Sequence, residues 1–505
     1  MAKAPREIEL KFVLPRERLA SVLAESPALC AAPPKAMTST YFDTDRRSLR
    51  TKGFSLRVRR VGAKFVQTVK RGDAALDRGE WESPVAGPGP DVTRLMGTPA
   101  GKALRSRPRL KPLFNVDVAR RAATLTEGEC VIELCLDDAQ VKTSNRKAAF
   151  AELELELKAG PVVGLLTFAR KLAAGQDLTV SLTAKSDRGF MLLAAGKGRA
   201  VRFTPPQIDP KQTAGQAFRL AARACLRQIA ANAEALRERA SPEVVHQLRV
   251  GLRRLRSLFT TFKPLVQDAS LDALKAELKW LTTELDAARN LDVLIQGDYR
   301  AALGEHENAQ GLKDLGARLR AQRRLAYARA AAAVESQRFR RLLFDTLAWT
   351  EMGAWTARKA PGAKPRERRI RKFAVDALEK RRRRIMRDGK QLARLDAGHL
   401  HRLRIEAKKL RYAADVFGSL FGQAKRFRHF VGSLKALQDT LGQLNDITVG
   451  QSLAHDVAAA AGWPDAEAAF AAGRITGAQK ARAERVTAEA AKAFDGFAQA
   501  KPFWD

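Results

Sequence analysis

The sequence predicts a multidomain α+β protein: a strand-rich N-terminal domain followed by an all-α domain of two related helical bundles. Up to about Phe190, apolar and charged residues alternate with period two. From Thr213 onward, apolar residues recur every three to four positions in Ala-, Leu-, Arg- and Glu-rich segments. Within that second region two stretches match each other at an offset of 155 residues, the mark of a duplicated unit.

The expected strands are Glu7–Val13, Phe54–Val61, Lys64–Arg71, Glu129–Leu136 and Ala151–Lys158, separated by Gly- and Pro-containing breaks. Arg18–Ala24 and Val162–Ala173 read as helices, and Ser83–Pro90 as a loop. Residues 196–212 hold three prolines and no periodicity, so a linker is expected there. We place the first domain at 1–200, the linker at 201–212 and the helical domain at 213–505. Its halves run from about 213 to 356 and from about 371 to 500, with 357–370 as connector.

The chain has 505 residues, 45% hydrophobic and 29% charged, which is ordinary for a folded protein. Lys and Arg number 91 against 55 Asp and Glu, a formal charge of +36 shared by both regions. Such a surplus attracts polyanions. Cys30, Cys130, Cys135 and Cys225 are too scattered for a disulfide framework or a zinc site. No apolar run approaches the roughly 18–20 residues of a membrane span, and the first residues lack a signal-peptide core. A cytoplasmic protein is expected.

In the strands, charge keeps to one parity. Glu7, Glu9 and Lys11 alternate with Ile8 and Leu10; Arg57 and Arg59 flank Val58; Thr68 and Lys70 flank Val69; Glu152, Glu154 and Glu156 alternate with Leu153, Leu155 and Leu157. Side chains two apart on a strand share a face. A solvated sheet face is one reading. The segregation of acidic and basic strands favours another, a charged face turned inward around a ligand that compensates buried charge. A divalent cation on a short phosphate chain is such a ligand: Glu supplies hard oxygens for Mg²⁺ or Mn²⁺, and Arg and Lys take phosphate oxygens.

EIELKF at the start, YFDT at 41–44, LRVR at 56–59, TVKRG at 68–72, RGEWE at 78–82, Glu133 in IELCLD, ELELELK and KSDRGF at 185–190 together resemble the CYTH family of triphosphate tunnel metalloenzymes. The resemblance implies a closed antiparallel β-barrel with flanking helices, whose polar tunnel binds a linear triphosphate and a metal. Carried over by motif, Glu7, Glu9, Glu152, Glu154 and Glu156 are the expected metal ligands. Arg57, Arg59, Lys70, Arg120 and Lys185 form the expected phosphate clamp, and Lys11, Glu9 and Glu154 the catalytic group. Arg121 is a second candidate beside Arg120; Asp43 and Glu80 fit a structural or a binding role equally. No His precedes His246, so His-based phosphoryl transfer is excluded in this domain. Attack by water on a terminal phosphorus is the expected chemistry.

At 100° per residue, His246, Arg249, Arg253 and Arg256 fall within about 80° of one another on a helix. His401, Arg404, Lys408 and Arg411 repeat the stripe. No Glu four residues away neutralises each cation, so a partner anion would relieve their repulsion. These copies resemble the CHAD domain, a pair of helical bundles around a basic groove associated with inorganic polyphosphate. The family's Arg-Asp pair reads Arg289-Asn290 in the first copy, with Asp292 nearby, and Asn445-Asp446 in the second. The basic runs Lys380–Arg384 and Lys425–Arg428 either widen the groove or face solvent.

The expected function is metal-dependent hydrolysis of inorganic triphosphate, with the helical domain binding polyphosphate. The alternative is a non-catalytic polyphosphate-binding protein of polyphosphate granules. Nucleic acid is disfavoured as a partner, because the basic stripes lack interleaved aromatics.

Overall fold

The computed structural model describes residues 6–71, 77–104, 108–194, 199–305, 310–459 and 466–505. The chain forms two compact units. One comprises Met1–Arg202, Leu226–Arg239 and Glu335–Met352; the other comprises Phe203–Cys225, Ala240–Val334 and Gly353–Asp505.

Among the described residues, the first unit is built on nine antiparallel strands: β1 (Arg6–Leu14), β2 (Lys35–Asp43), β3 (Phe54–Val61), β4 (Lys64–Arg71), β5 (Asp77–Val85), β6 (Lys111–Glu127), β7 (Cys130–Lys142), β8 (Lys147–Ala159) and β9 (Thr179–Ser181). Their order is β5-β4-β3-β2-β6-β7-β8-β1-β9. One side of β1 pairs with β8. Its other side is shared: Arg6–Ile8 pair with β5 and Lys11–Val13 with β9. Among the described residues three residue pairs join β5 to β1, a seam too short to close the barrel that the resemblance implied.

The expected loop at Ser83–Pro90 begins later than the sequence suggested, because Ser83, Pro84 and Val85 continue β5 opposite Gln67, Val66 and Phe65. Pro84, which lacks an N–H, stands opposite Val66 of β4, beyond Asp77–Gly79 where β5 pairs with β1 among the described residues.

Both faces of the sheet are buried, for different reasons. Outside, Phe42, Leu56, Val58 and Val69 pack with Leu49, Leu95 and Ala100 from short covering helices. Phe12 stacks on Phe344, 6.3 Å between centroids. The inner face is layered. Phe114, Val116 and Val118 of β6, Ala139 and Val141 of β7 and Phe150 of β8 form an apolar plug with Phe190 and Leu192 of the Lys185–Ala194 helix. One register step further, Arg120 faces Asp137, which faces Glu152; beyond them Cys135 faces Glu154 and Glu133 faces Glu156. Grease at one end thus gives way to charge along the same face. The plug fits closely: a Cβ on Gly189 would lie 2.0 Å from the Phe114 ring.

Among the described residues, the second unit is helical apart from one isolated bridge, Thr213 to Arg369. Helices Pro242–Val266 and Ala397–Phe417 carry the two related basic stretches and pack together. Each starts on a cap that the sequence supplies. The Ser241 hydroxyl accepts from the Val244 N–H, ahead of Pro242, and Asp396 accepts from the His399 N–H. Phe262 of the first meets Phe417 of the second in the core, and Phe218 packs on Phe259, Phe262 and Trp355. Among the described residues, no helix is long and apolar enough to cross a membrane.

Candidate functional site

The inner face of the first unit gathers one ionic network. Lys11 of β1 donates to Glu154, its register partner on β8, and lies 2.8 Å from Glu9. Glu154 also accepts from Arg120 at 2.5 Å and Lys185 at 2.6 Å. Arg120 grips Asp137 with two parallel bonds of 2.7 and 2.6 Å. Lys185 further reaches Glu152 and Asp137, both at 2.9 Å. Burial opposes charge on Lys11, Arg120, Glu152, Glu154 and Lys185, and the opposite charges prevail. Lys11, Lys185 and Arg120 hold the Glu154 carboxyl well below the usual range. Asp137, Glu152 and Glu154 hold the Lys185 ammonium well above its own. Burial pushes the Cys135 thiol up to about 12, so this cysteine is no nucleophile.

A second group sits on β3, β4 and β5. Glu80 lies 3.0 Å from Lys70 and 3.7 Å from Arg57, which stands opposite Tyr41 of β2 in register. Burial, then Arg57, lowers the Arg59 guanidinium to about 10, and Arg120 adds to the repulsion. Arg59 thereby links the two groups electrostatically. It is a half-buried cation beside Arg57 and Arg120, a place where an anion is stabilised.

The five expected metal ligands fall at different depths. Glu152 is fully buried and engages Lys185 and Arg188. Glu154 is engaged as above. Glu156 lies at the open end, where Lys158 joins it at 2.8 Å and Glu133 at 3.0 Å. Glu9 is buried, and its Oε2 has no hydrogen-bond partner among the described residues. The Glu7 side chain lies outside the described residues. Among those residues, no three His, Cys, Asp or Glu groups are gathered as a metal would require. Asp43 is structural: it accepts from the Thr44, Leu49 and Arg50 N–H groups at 2.7, 2.9 and 3.0 Å. Arg121 donates to backbone carbonyls of Cys30 and Ala32.

In the helical unit, Arg249 and Arg253 of one copy and Arg404 and Lys408 of the other are close enough to repel one another. Burial, then Arg404 and Arg253, lowers the Lys408 ammonium to about 6. Burial, then Arg289, lowers the His246 imidazole to about 4. Arg249 lies 2.5 Å from Asp286. His401 and Arg404 share the Asn445 side-chain oxygen at 2.9 and 3.1 Å. Arg411 turns instead to Asp415 on its own helix, 3.2 Å away. Asp292 accepts from Arg323 at 2.7 Å and from the Tyr327 hydroxyl at 2.6 Å. Of the basic runs, Arg381 is buried against Thr261, whereas Arg383, Arg384, Lys425, Arg426 and Arg428 are exposed.

Family models match two segments: the CYTH domain over residues 5–190 and the CHAD domain over residues 220–455. The chain joins a CYTH domain to a CHAD domain. It is 26% identical over 159 residues to an inorganic triphosphatase of Haemophilus influenzae, a match covering 30% of this chain and 45% of that relative's length. The CHAD domain from the plant Ricinus communis superposes with a TM-score of 0.52 at 28% identity, covering 59% of this chain and 96% of that one. PptA from Streptomyces chartreusis is 18% identical, with a TM-score of 0.44 over 56% of this chain and 100% of that one.

Within the CYTH domain, sequence reasoning passed over Asp137 and Arg188. Asp137 shares the parity of Glu133 on β7, which was a usable signal. Arg188 lies one helical turn beyond Lys185. In the CHAD domain it passed over the closeness of Arg289 to His246.

Proposed function

We propose that the CYTH domain hydrolyses inorganic triphosphate to diphosphate and phosphate with a divalent metal, Mg²⁺ or Mn²⁺. The observation that carries this reading is the largely buried mixed-sign network on the inner face. Arg57, Arg59, Lys70, Arg120 and Lys185 are cations directed at one interior, and a linear polyanion is the ligand that relieves Arg59 while meeting the others. The carboxylate set suits a hard cation: Glu9 keeps a buried oxygen without a partner, and Glu156 faces it in register, with Glu154 next along β8. Glu154 and Glu156 are engaged by Lys11, Arg120, Lys185 and Lys158, so Glu9, Glu154 and Glu156 would hold the metal only on exchanging those cations for it, and the metal would then supply neutralisation of phosphate charge.

The chain's own residues orient the phosphates. Lys11, held between Glu9 and Glu154, presents its ammonium to a phosphate oxygen, and Arg57 and Lys70 draw in the far end. The burial that suppresses the Cys135 thiolate and the absence of His before His246 leave water as the attacking group, with a glutamate accepting its proton. Phosphate release from tripolyphosphate, with and without Mg²⁺ or Mn²⁺, tests this. Lys70→Ala and Glu9→Gln should each lower kcat/KM by about 100-fold or more; wild-type rates in either variant would refute the assignment.

The CHAD domain supports a second role, binding of inorganic polyphosphate. The observation favouring it is the cluster of Arg249, Arg253, Arg404 and Lys408, whose mutual repulsion a polyanion would relieve. Saturable polyphosphate binding without turnover would leave the granule-protein alternative standing.

A further inference from the structure

The ionic network on the inner face of the sheet does not end within the CYTH match. Arg188 lies three residues after Lys185, so both side chains leave the same face of their helix. Its Nε donates to Glu152 at 3.1 Å and its Nη1 to Glu234 at 2.5 Å, while the guanidinium sits over the Phe150 ring, 4.5 Å from the centroid. Glu234 lies far along the chain, in the Ala214–Glu238 helix, inside the segment matched as CHAD. Yet Leu226–Arg239 belongs to the same compact unit as the sheet.

Glu152 has no solvent exposure, and its oxygens are divided: Arg188 takes Oε1 and Lys185 takes Oε2. Among the described residues Glu152 and Glu234 are the only acceptors of Arg188, whose Nη2 has none. Without Glu234, the buried fork would turn both arms onto Glu152, the bidentate geometry that guanidinium and carboxylate prefer. Lys185 would then lose Glu152 and be drawn onto Asp137 and Glu154. Burial disfavours the Arg188 charge, and Glu234 is the strongest influence restoring it, ahead of Glu152.

We propose that Glu234, supplied by the CHAD segment, is a positioning residue for the CYTH phosphate clamp. It holds Arg188 so that Glu152 stays with Lys185. This rests on Lys185 belonging to a triphosphate clamp, as proposed above. The test uses the full chain and the variants Glu234→Ala and Glu234→Gln, with Asp345→Asn as control. Asp345 pairs with Arg170 on the surface of the same unit, 2.6 Å apart.

Two readouts are combined: KM and kcat for tripolyphosphate, and acylation of Lys185 by a lysine reagent followed by mass spectrometry. Both Glu234 variants should raise KM by about 10-fold with a smaller change in kcat. Glu234→Asp should recover part of the loss, and the control should keep the wild-type KM. Lys185 should acylate faster in the Glu234 variants than in wild type at a temperature where both variants remain folded, and beyond what any fall in melting temperature accounts for. A wild-type KM in both variants, or a kcat loss that merely follows the unfolded fraction, overturns the proposal. Should wild type fail to turn over tripolyphosphate, the functional reading falls, and the footprint alone decides: unchanged Lys185 protection overturns the positioning role.

Discussion

On the Ala397–Phe417 helix, Lys408 has Arg404, Arg253 and Arg249 around it and Asp446 as the opposing charge. With its ammonium lowered from 10.5 to about 6 by burial and then by those arginines, Lys408 is neutral at pH 7 in the free protein. His246, lowered to about 4, is neutral as well. The sign of the linkage follows. The unfolded lysine binds its proton up to about 10.5 and the folded one only to about 6, so this group makes stability rise with pH between those values. A bound polyphosphate acts the other way, restoring the charged form. Binding should therefore take up about one proton near pH 7.5, and affinity should fall as pH rises above about 6. Calorimetry of short-chain polyphosphate in two buffers of different ionisation enthalpy reads this directly. Uptake should disappear in Lys408→Met; an equal uptake in that variant would place the titrating group elsewhere.

At the scale of elements, the Lys185–Ala194 helix connects fold to site. Its first turn delivers Lys185 and Arg188 to the charged layer, and Phe190 and Leu192 seat it on the apolar plug. Gly189 makes that seat possible, because any Cβ would collide with the Phe114 ring. Gly189→Ala should cost about 1–3 kcal/mol, seen as a lower melting temperature, since Phe114 is itself wedged between Tyr41 and Phe190. Unchanged stability would mean that the plug yields. The same element separates what was legible in the sequence from what was not. β1, β3, β4, β7 and β8 could be read because charge and aliphatics alternate there, and that alternation also marked which side chains would share the interior. β2 and β6 were harder, since half their inner positions are apolar: Val116 and Val118 alternate like an outward-facing strand although they point into the plug. Partners were least legible. Nothing in AANAEALRE distinguishes Glu234 from an ordinary helix surface position, because its role depends on a residue 46 positions earlier. Likewise the two basic stripes gave Arg249, Arg253, Arg404 and Lys408 together, but Arg411 found Asp415 within its own helix.

Over the whole molecule, a charge of +36 would attract any polyanion, so attraction alone does not establish a groove. Salt separates the diffuse field from a local site. Each phosphate neutralised at close range contributes about −0.7 to the slope of log K against log salt for a flexible single-stranded polyanion. Engagement of Arg249, Arg253, Arg404 and Lys408 predicts a total near −3 by the same rule. Arg253→Ala should reduce the slope by about 0.7, because it removes one close contact. Arg383→Ala removes the same formal charge from an exposed position near Glu379 and should leave the slope nearly unchanged. Binding of medium-chain polyphosphate to the full chain at four or five salt concentrations measures both. Equal slope changes in the two variants would show that the protein holds polyphosphate by its overall field, and the convergence of the two repeats would then need another explanation.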